Sequence, residues 1–262
     1  MLWNGIEYLS LFLIVLLHEF GHSLACRQVG GRADQIVLWP LGGVAYVAPP
    51  PRPGATLWSI AAGPLVNVLL VPVIHLLILV IVAAGWTETL PDLAAFLWMV
   101  WRINLSLLIF NILPIYPLDG GQILRALLWY VLGRARSLQV AVIIGFLGCA
   151  AAGFVAYRTG SVWIGVLGVF MLSNCVNGWK HAQALRQLDA APRHRGYACP
   201  SCGQPPIAGP MWRCDQCGAG FDTFDSGAVC PQCAKSFAST LCPECGALHP
   251  LAEWAAPASR DL

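Results

Sequence analysis

The residues best placed to do chemistry form the sequence His18-Glu19-Phe20-Gly21-His22, an H-E-x-x-H pattern. On a helix, residues four apart share a face, so both imidazoles can bind one metal ion. Glu19 then lies beside that ion, where its carboxylate can take a proton from water. The segment 3–26 is otherwise largely apolar, and ionisable residues in membrane helices are rare without a function. The pattern favours a catalytic zinc site in a membrane over a polar cluster that only joins helices.

A third protein ligand and an open fourth position complete a catalytic zinc site. The apolar segments offer two candidates, His75 and Asp119. Asp119 lies in Pro114–Gly121, whose prolines and glycines should unwind a helix at membrane depth. Irregular backbone at that depth is tolerated only against protein or a water-filled cavity. His75 lies in a continuous apolar helix, where a hydrogen-bonding role is favoured. Asp119 is therefore the predicted third ligand.

Eight of the eleven cysteines form four C-x-x-C pairs: Cys199/Cys202, Cys214/Cys217, Cys230/Cys233 and Cys242/Cys245. This spacing predicts two structural four-cysteine zinc sites in a double zinc ribbon, which should need metal to fold. The favoured pairing joins the first pair with the second and the third with the fourth, and a crossed arrangement is the alternative. Disulfides are disfavoured because the side of the membrane predicted for this module is reducing.

Charge-free windows indicate where the chain crosses a membrane. Hydrophobic residues make up 57% of the chain and charged residues 11%, against about 45–50% and about 25% in soluble domains. A span needs roughly 20 apolar residues. Spans are expected at 3–26, at 56–84, at 93–113 followed by 122–132, at 138–157 and at 160–179. The fold class is therefore an α-helical multi-span membrane protein with about five to six transmembrane helices and a small C-terminal zinc-ribbon module.

Charge asymmetry predicts the orientation of the chain. Lys and Arg follow the first span, the broken third span and the last span, which places the C-terminal side in the cytoplasm. The predicted domains are a membrane domain at 1–180, a linker at 181–198 and the zinc-ribbon module at 199–262. Residues 181–262 carry six Lys/Arg and seven Asp/Glu, so no nucleic acid is expected to bind. A protein partner at the ribbons, or a role in gating substrate, is favoured.

The chain resembles the site-2 proteases, zinc metalloproteases that cut inside membranes. The resemblance rests on the H-E-x-x-H block and on Asn111–Gly121, which matches N-x-x-P-x-x-P-L-D-G-G in full. Gly63–Asn67 is similar to a G-P-x-x-N element that is common in the family, and Asn67 is expected to be structural. Together these blocks cover about 1–135, the three-helix catalytic core of the family. The β-prone segment Gln35–Val47 is expected to form a hairpin or re-entrant loop.

The resemblance implies a role for each matching residue. His18, His22 and Asp119 would bind the catalytic zinc, and Glu19 would be the general base. Asn111 would hold the substrate backbone or stabilise the oxyanion, or it would only pack between helices. With the ribbons, three zinc ions are expected, one catalytic and two structural.

The expected function is that of an intramembrane zinc metalloendopeptidase. It would hydrolyse peptide bonds within or near the transmembrane segments of membrane-protein substrates in the lipid bilayer. The alternative is a catalytically silent membrane adaptor that recruits partners through its zinc ribbons. A metal transporter is a third class, but transporters show paired broken helices, and this sequence has one clear break.

Overall fold

The computed structural model describes residues 2–39 and 42–254, which form two compact units with a boundary between Gln183 and Ala184. Six α-helices are described: α1 Leu2–Gln28, α2 Pro53–Ala83, α3 Trp86–Thr89, α4 Pro91–Ile112, α5 Asp119–Thr159 and α6 Val162–Ala190. All except α3 are long and apolar enough to cross a membrane, so the chain is a multi-pass membrane protein. The predicted fold class is confirmed.

A β-hairpin lies between α1 and α2. Strand β1, Arg32–Trp39, pairs antiparallel with β2, Gly42–Ala48, and the register is irregular between Ala33 and Gln35. The prediction of a hairpin within Gln35–Val47 is confirmed, although residues 40 and 41 lie outside the described part of the chain. Both strands contact α1, which places the hairpin beside the H-E-x-x-H segment.

The predicted break in the third span is confirmed. Helix α4 ends at Ile112, and α5 begins at Asp119 after six non-helical residues. Gly120 permits a close approach there, because a Cβ atom would collide with the carbonyl groups of Ile112 and Leu113. The break places Asp119 at the start of a helix rather than in the middle of one.

Helix α5 is 41 residues long, or roughly 60 Å at 1.5 Å per residue, about twice the hydrocarbon core. It cannot be a single span. Gly133 interrupts it with φ 79° and ψ 172°, a non-helical conformation that glycine adopts without steric cost. The two parts, 119–132 and 134–159, correspond to the predicted segments 122–132 and 138–157.

The segment predicted as a linker, 181–198, is structured in both halves, and its bounds as a linker stay a prediction. Its first part continues α6 to Ala190, since HAQALRQLDA is rich in good helix formers. Its second part packs into the C-terminal unit: Arg193 forms a β-bridge with Ile207, and the His194 amide donates to the Pro206 carbonyl at 2.9 Å.

The C-terminal unit contains two small hairpins and little other regular structure. Strand β3, Trp212–Arg213, pairs with β4, Gly220–Phe221, and β5, Thr240–Leu241, pairs with β6, Leu248–His249. A short 3-10 helix at Leu251–Trp254 ends the described chain, and the predicted module's last residues, 255–262, lie outside it. Its apolar core is only a few side chains and the cysteines themselves.

Candidate metal centres

Helix α1 presents one polar face to the interior of the membrane domain. His18, Glu19 and His22 are 6%, 7% and 5% exposed, while Phe20 is 46% exposed. This is the pattern that helical geometry requires, because residues four apart share a face and Phe20 lies on another. The two histidines and the glutamate are thus enclosed by protein.

His18, His22 and Asp119 meet at one point. His18 Nε2 lies 2.9 Å from Asp119 Oδ2 and 3.1 Å from His22 Nε2, and His22 Nε2 lies 3.5 Å from Asp119 Oδ2. Ligands about 2.0–2.1 Å from a tetrahedral zinc ion lie about 3.3 Å from one another. The three donor atoms therefore fit zinc, and the break before α5 is what brings the carboxylate to the histidines.

The far side of each imidazole ring is fixed by a hydrogen-bond acceptor. His18 Nδ1 lies 2.5 Å from Asn67 Oδ1, and His22 Nδ1 lies 2.9 Å from the Ser59 carbonyl oxygen. Both acceptors require a proton on Nδ1, which leaves the lone pair on Nε2 for a metal ion. These two contacts thus select the tautomer that zinc binding needs.

A buried amide pair supports the first of these contacts. Asn67 Nδ2 donates to Asn104 Oδ1 at 2.7 Å, and Asn104 Nδ2 donates to the Asn67 carbonyl at 3.0 Å. Both asparagines are fully buried. Asn67 was expected to be structural, and its structural role is to orient a predicted ligand. Sequence reasoning missed Asn104, although an amide within an apolar span was the signal that could have found it.

Two other candidates lie apart from this cluster. Asn111 is half-buried and, among the described residues, forms no hydrogen bond with the three predicted ligands, so its role stays a prediction. The His75 ring packs against Trp98 and Trp101, with centroids 6.4 and 6.2 Å away. His75 therefore lies apart from the cluster, and the choice of Asp119 as the third ligand stays a prediction.

Helix α2 approaches the two histidines through a glycine. A Cβ atom at Gly63 would collide with the His22 ring and come within 2.8 Å of His18 Nε2. Gly21 on α1 has the same function from the other side, since a Cβ there would lie 2.6 Å from the Ala62 carbonyl oxygen. The close contact between α1 and α2 therefore depends on two residues without side chains.

Glu19 is held by the hairpin. The backbone amide of Ala45 in β2 donates to Glu19 Oε2 at 2.7 Å. A side chain at Gly43 would come within 2.7 Å of Glu19 Cγ, so this strand approaches the carboxylate closely. Glu19 also lies near enough to His18, His22 and Asp119 to interact with all three electrostatically. The carboxylate is positioned beside the three donor atoms without being one of them.

Comparison with known proteins agrees with this geometry. The family model for peptidase family M50 matches residues 7–94 and 82–154, which is more than half of the chain. The chain belongs to peptidase family M50. The predicted resemblance to site-2 proteases is confirmed, and the matched region contains all four residues of the membrane cluster.

Two relatives of this M50 chain carry protease names. It is 36% identical over 141 residues to the zinc metalloprotease MJ0392 of Methanocaldococcus jannaschii, covering 54% of this chain and 40% of the relative. It is 30% identical over 194 residues to the putative zinc metalloprotease sll0528 of Synechocystis, covering 71% and 50%. The chain thus spans half or less of the length of these relatives.

A solved structure is also similar, the site-2 protease from Methanocaldococcus jannaschii. The TM-score is 0.49 at 26% identity, with 66% of this chain and 76% of the other covered.

The cysteines of the M50 chain form two tetrads beyond the family match, and the predicted pairing is wrong. The first C-x-x-C pair joins the fourth, as Cys199, Cys202, Cys242 and Cys245, and the second joins the third, as Cys214, Cys217, Cys230 and Cys233. One site is therefore nested within the other in sequence. The chain returns at its end to the first knuckle, which adjacency in sequence does not reveal.

Both tetrads fit a tetrahedral ion. The cross-knuckle Sγ–Sγ distances are 3.7 and 3.8 Å in the outer tetrad and 3.6 Å twice in the inner one. A zinc–sulfur bond of about 2.3 Å implies a separation of about 3.8 Å between thiolates, whereas a disulfide needs about 2.05 Å. All eight cysteines are free, which agrees with metal sites and not with disulfides.

The nested pairing predicts a distinct zinc stoichiometry. Serine at all four outer positions, Cys199, Cys202, Cys242 and Cys245, should lower the zinc content of the chain by one ion. Serine at Cys199, Cys202, Cys214 and Cys217 should lower it by two, because each tetrad then loses half of its ligands. Elemental analysis of the two purified variants checks this. Adjacent pairing would give the opposite result.

Proposed function

We propose that this M50 chain is a zinc metalloendopeptidase that hydrolyses peptide bonds within or near transmembrane segments of membrane proteins. The proposal rests on the enclosed cluster in which the donor atoms of His18, His22 and Asp119 converge and Glu19 lies beside them. The names of the relatives, which call them zinc metalloproteases, support it. Two structural zinc ions in the cysteine tetrads complete the proposed metal content.

Each residue of the cluster has a distinct part in the proposed reaction. His18, His22 and Asp119 hold zinc, which when bound acidifies water and polarises a carbonyl oxygen. Glu19 takes the proton from the attacking water and passes it to the nitrogen of the leaving amine. Asn67 and the Ser59 carbonyl keep both imidazoles in the tautomer that can bind metal.

The hairpin supplies a surface on which substrate can bind. A transmembrane helix must unwind before its peptide bonds can be reached, and an unwound segment can pair with a strand edge. The Ala45 amide is directed at Glu19, so β2 runs past the carboxylate that would act as the base. A substrate strand on this side of β2 would bring its backbone to the zinc site.

Cross-linking tests whether a substrate segment binds along the hairpin. One additional cysteine, at Val44 or at Tyr46, both exposed on β2, is expected to form adducts beyond those of the unmodified chain with a substrate that carries a cysteine near its cleavage site. The Ile109 position, exposed on α4, provides the control cysteine, where few adducts are expected. Equal yields from β2 and from α4, or no adduct from β2, would contradict the pairing.

The ribbons are proposed to lie in the cytoplasm, where the excess of Lys and Arg places the end of α6. Their proposed role is to recruit a protein partner or to gate substrate. If recruitment were the only function, the chain would be a silent adaptor, and the membrane cluster would do no chemistry.

The deciding experiment is cleavage in a defined membrane. The purified full chain, in vesicles with candidate single-span substrates, is expected to give fragments whose new termini fall within or near the substrate's apolar segment by mass spectrometry. A zinc chelator should stop cleavage, and added zinc should restore it. A chain that binds a substrate but never cuts any would support the adaptor.

A further inference from the structure

Two arginines contact one tryptophan within α5, next to the interruption at Gly133. The guanidinium carbons of Arg125 and Arg134 lie 5.9 and 5.8 Å from the centroid of the Trp129 ring. Trp129 is four residues after Arg125 and therefore shares its helix face. Arg134 is nine residues after Arg125, about two and a half turns, which on a continuous helix would place it on the opposite face. The interruption at Gly133 is what brings Arg134 to the same ring.

In the described part of the chain, the two positive charges have no acidic partner. Within residues 2–39 and 42–254, no carboxylate forms an ion pair with either guanidinium, and the Nε atoms of both are buried without a hydrogen-bond acceptor. Arg125 and Arg134 also lie close enough to repel each other, and His181 on α6 lies within electrostatic reach of both. A buried N–H donor without an acceptor is costly, so an oxygen-bearing ligand that accepts from these Nε atoms would be favoured.

The surroundings of the cluster are those of a membrane interface. Trp129 is followed by Tyr130 and Val131, which are 61% and 84% exposed. Aromatic side chains next to exposed apolar ones mark the level of lipid headgroups. The cluster lies on the side predicted to be cytoplasmic, where basic pockets between transmembrane helices bind anionic headgroups.

We propose that Arg125 and Arg134 form a binding site for the phosphate of an anionic phospholipid. Two guanidinium groups present planar sets of N–H donors that match phosphate oxygens. The acyl chains would lie along the apolar surface next to Tyr130 and Val131. This site goes beyond the proposed protease function, because it requires neither zinc nor cleavage.

Lipid binding to the purified full chain tests the proposal. In nanodiscs or uncharged detergent, native mass spectrometry is expected to show retention of phosphatidylglycerol over phosphatidylcholine. Arg125→Gln with Arg134→Gln should weaken phosphatidylglycerol retention about tenfold or more, as expected for lost charge-assisted hydrogen bonds. Arg136→Gln is the matched control: Arg136 is exposed on the same helix, and its replacement should leave retention unchanged.

Single variants of Arg134 and a competition with inorganic phosphate extend the lipid-binding experiment. If the double variant does not fold, the single Arg134→Gln change should still weaken retention, whereas Arg134→Lys should weaken it less. Inorganic phosphate at millimolar concentration should not displace the lipid, since it lacks the acyl chains. Equal retention of the two lipids by the unmodified chain, an equal loss in Arg136→Gln, or full displacement by inorganic phosphate would overturn the proposal. None of these readouts depends on cleavage, so the proposed protease function stands or falls separately.

Discussion

Replacement of Glu19 by Gln is expected to lower the rate of substrate cleavage by about 10²–10⁴-fold, the usual contribution of a general base. The change removes the proton acceptor but keeps the shape of the side chain. The new amide oxygen can still accept the Ala45 N–H, so the hairpin should stay in place. His18, His22 and Asp119 are untouched, so the zinc content should not change. Cleavage rate and zinc stoichiometry, measured on one preparation, check both expectations.

The matched control for this change is Glu7→Gln. Glu7 lies on the same helix, is half-buried and is outside the metal cluster. Its replacement removes the same charge and should leave cleavage within a factor of about two. Undiminished cleavage by the Glu19 variant would show that another group accepts the proton, and loss of zinc would show that Glu19 is a ligand.

Replacement of Gly63 by Ala should lower the cleavage rate nearly as much as Glu19→Gln does. The new Cβ of Gly63→Ala would occupy the space of the His22 ring and crowd His18 Nε2, so the two imidazoles cannot keep their positions. A displacement of about 1 Å at a catalytic site costs about 10²-fold in rate. Both the cleavage rate and the affinity for zinc, measured by competition with a chelator, should fall.

Gly153→Ala provides the control for the methyl group. Gly153 lies in α5, and nothing lies within 4 Å of a Cβ atom built there. In a helix interior this exchange stabilises by roughly 0.5–1 kcal/mol, so the folded fraction should be unchanged or higher. Wild-type zinc affinity in the Gly63 variant would mean that α2 can move away from α1, contrary to the close packing at Gly21.

Local spacing was enough to predict much of the membrane domain. The H-E-x-x-H pattern placed two imidazoles on one face, and the proline and glycine cluster marked where α5 begins. The Asn67–Asn104 pair was not predicted, because it depends on how α2 and α4 align, and apolar spans carry little information about register. Asn67 could be identified only as part of the G-P-x-x-N element, and Asn104 lies in no motif.

In the C-terminal unit, the sequence predicted which residues form the metal sites but not how they are paired. The spacing of C-x-x-C pairs predicted eight thiolates in two tetrads, and the sulfur geometry agrees with that. The pairing was wrong because knuckles of the same type are interchangeable in sequence, and only tertiary contacts such as the Arg193–Glu244 ion pair at 2.8 Å distinguish their positions. The change of composition at His181 does not mark the end of a helix, because α6 continues to Ala190.

Nesting one tetrad inside the other also sets an order of assembly. During synthesis, the inner set is complete once Cys233 has been made, whereas the outer set must wait for Cys245. The outer loop is longer and costs more entropy to close, and zinc in the inner site reduces that cost by shortening the free chain. The outer ion should therefore be the last to load and the first to leave when zinc is scarce, with the buried Trp254 beside it exposed early in that loss.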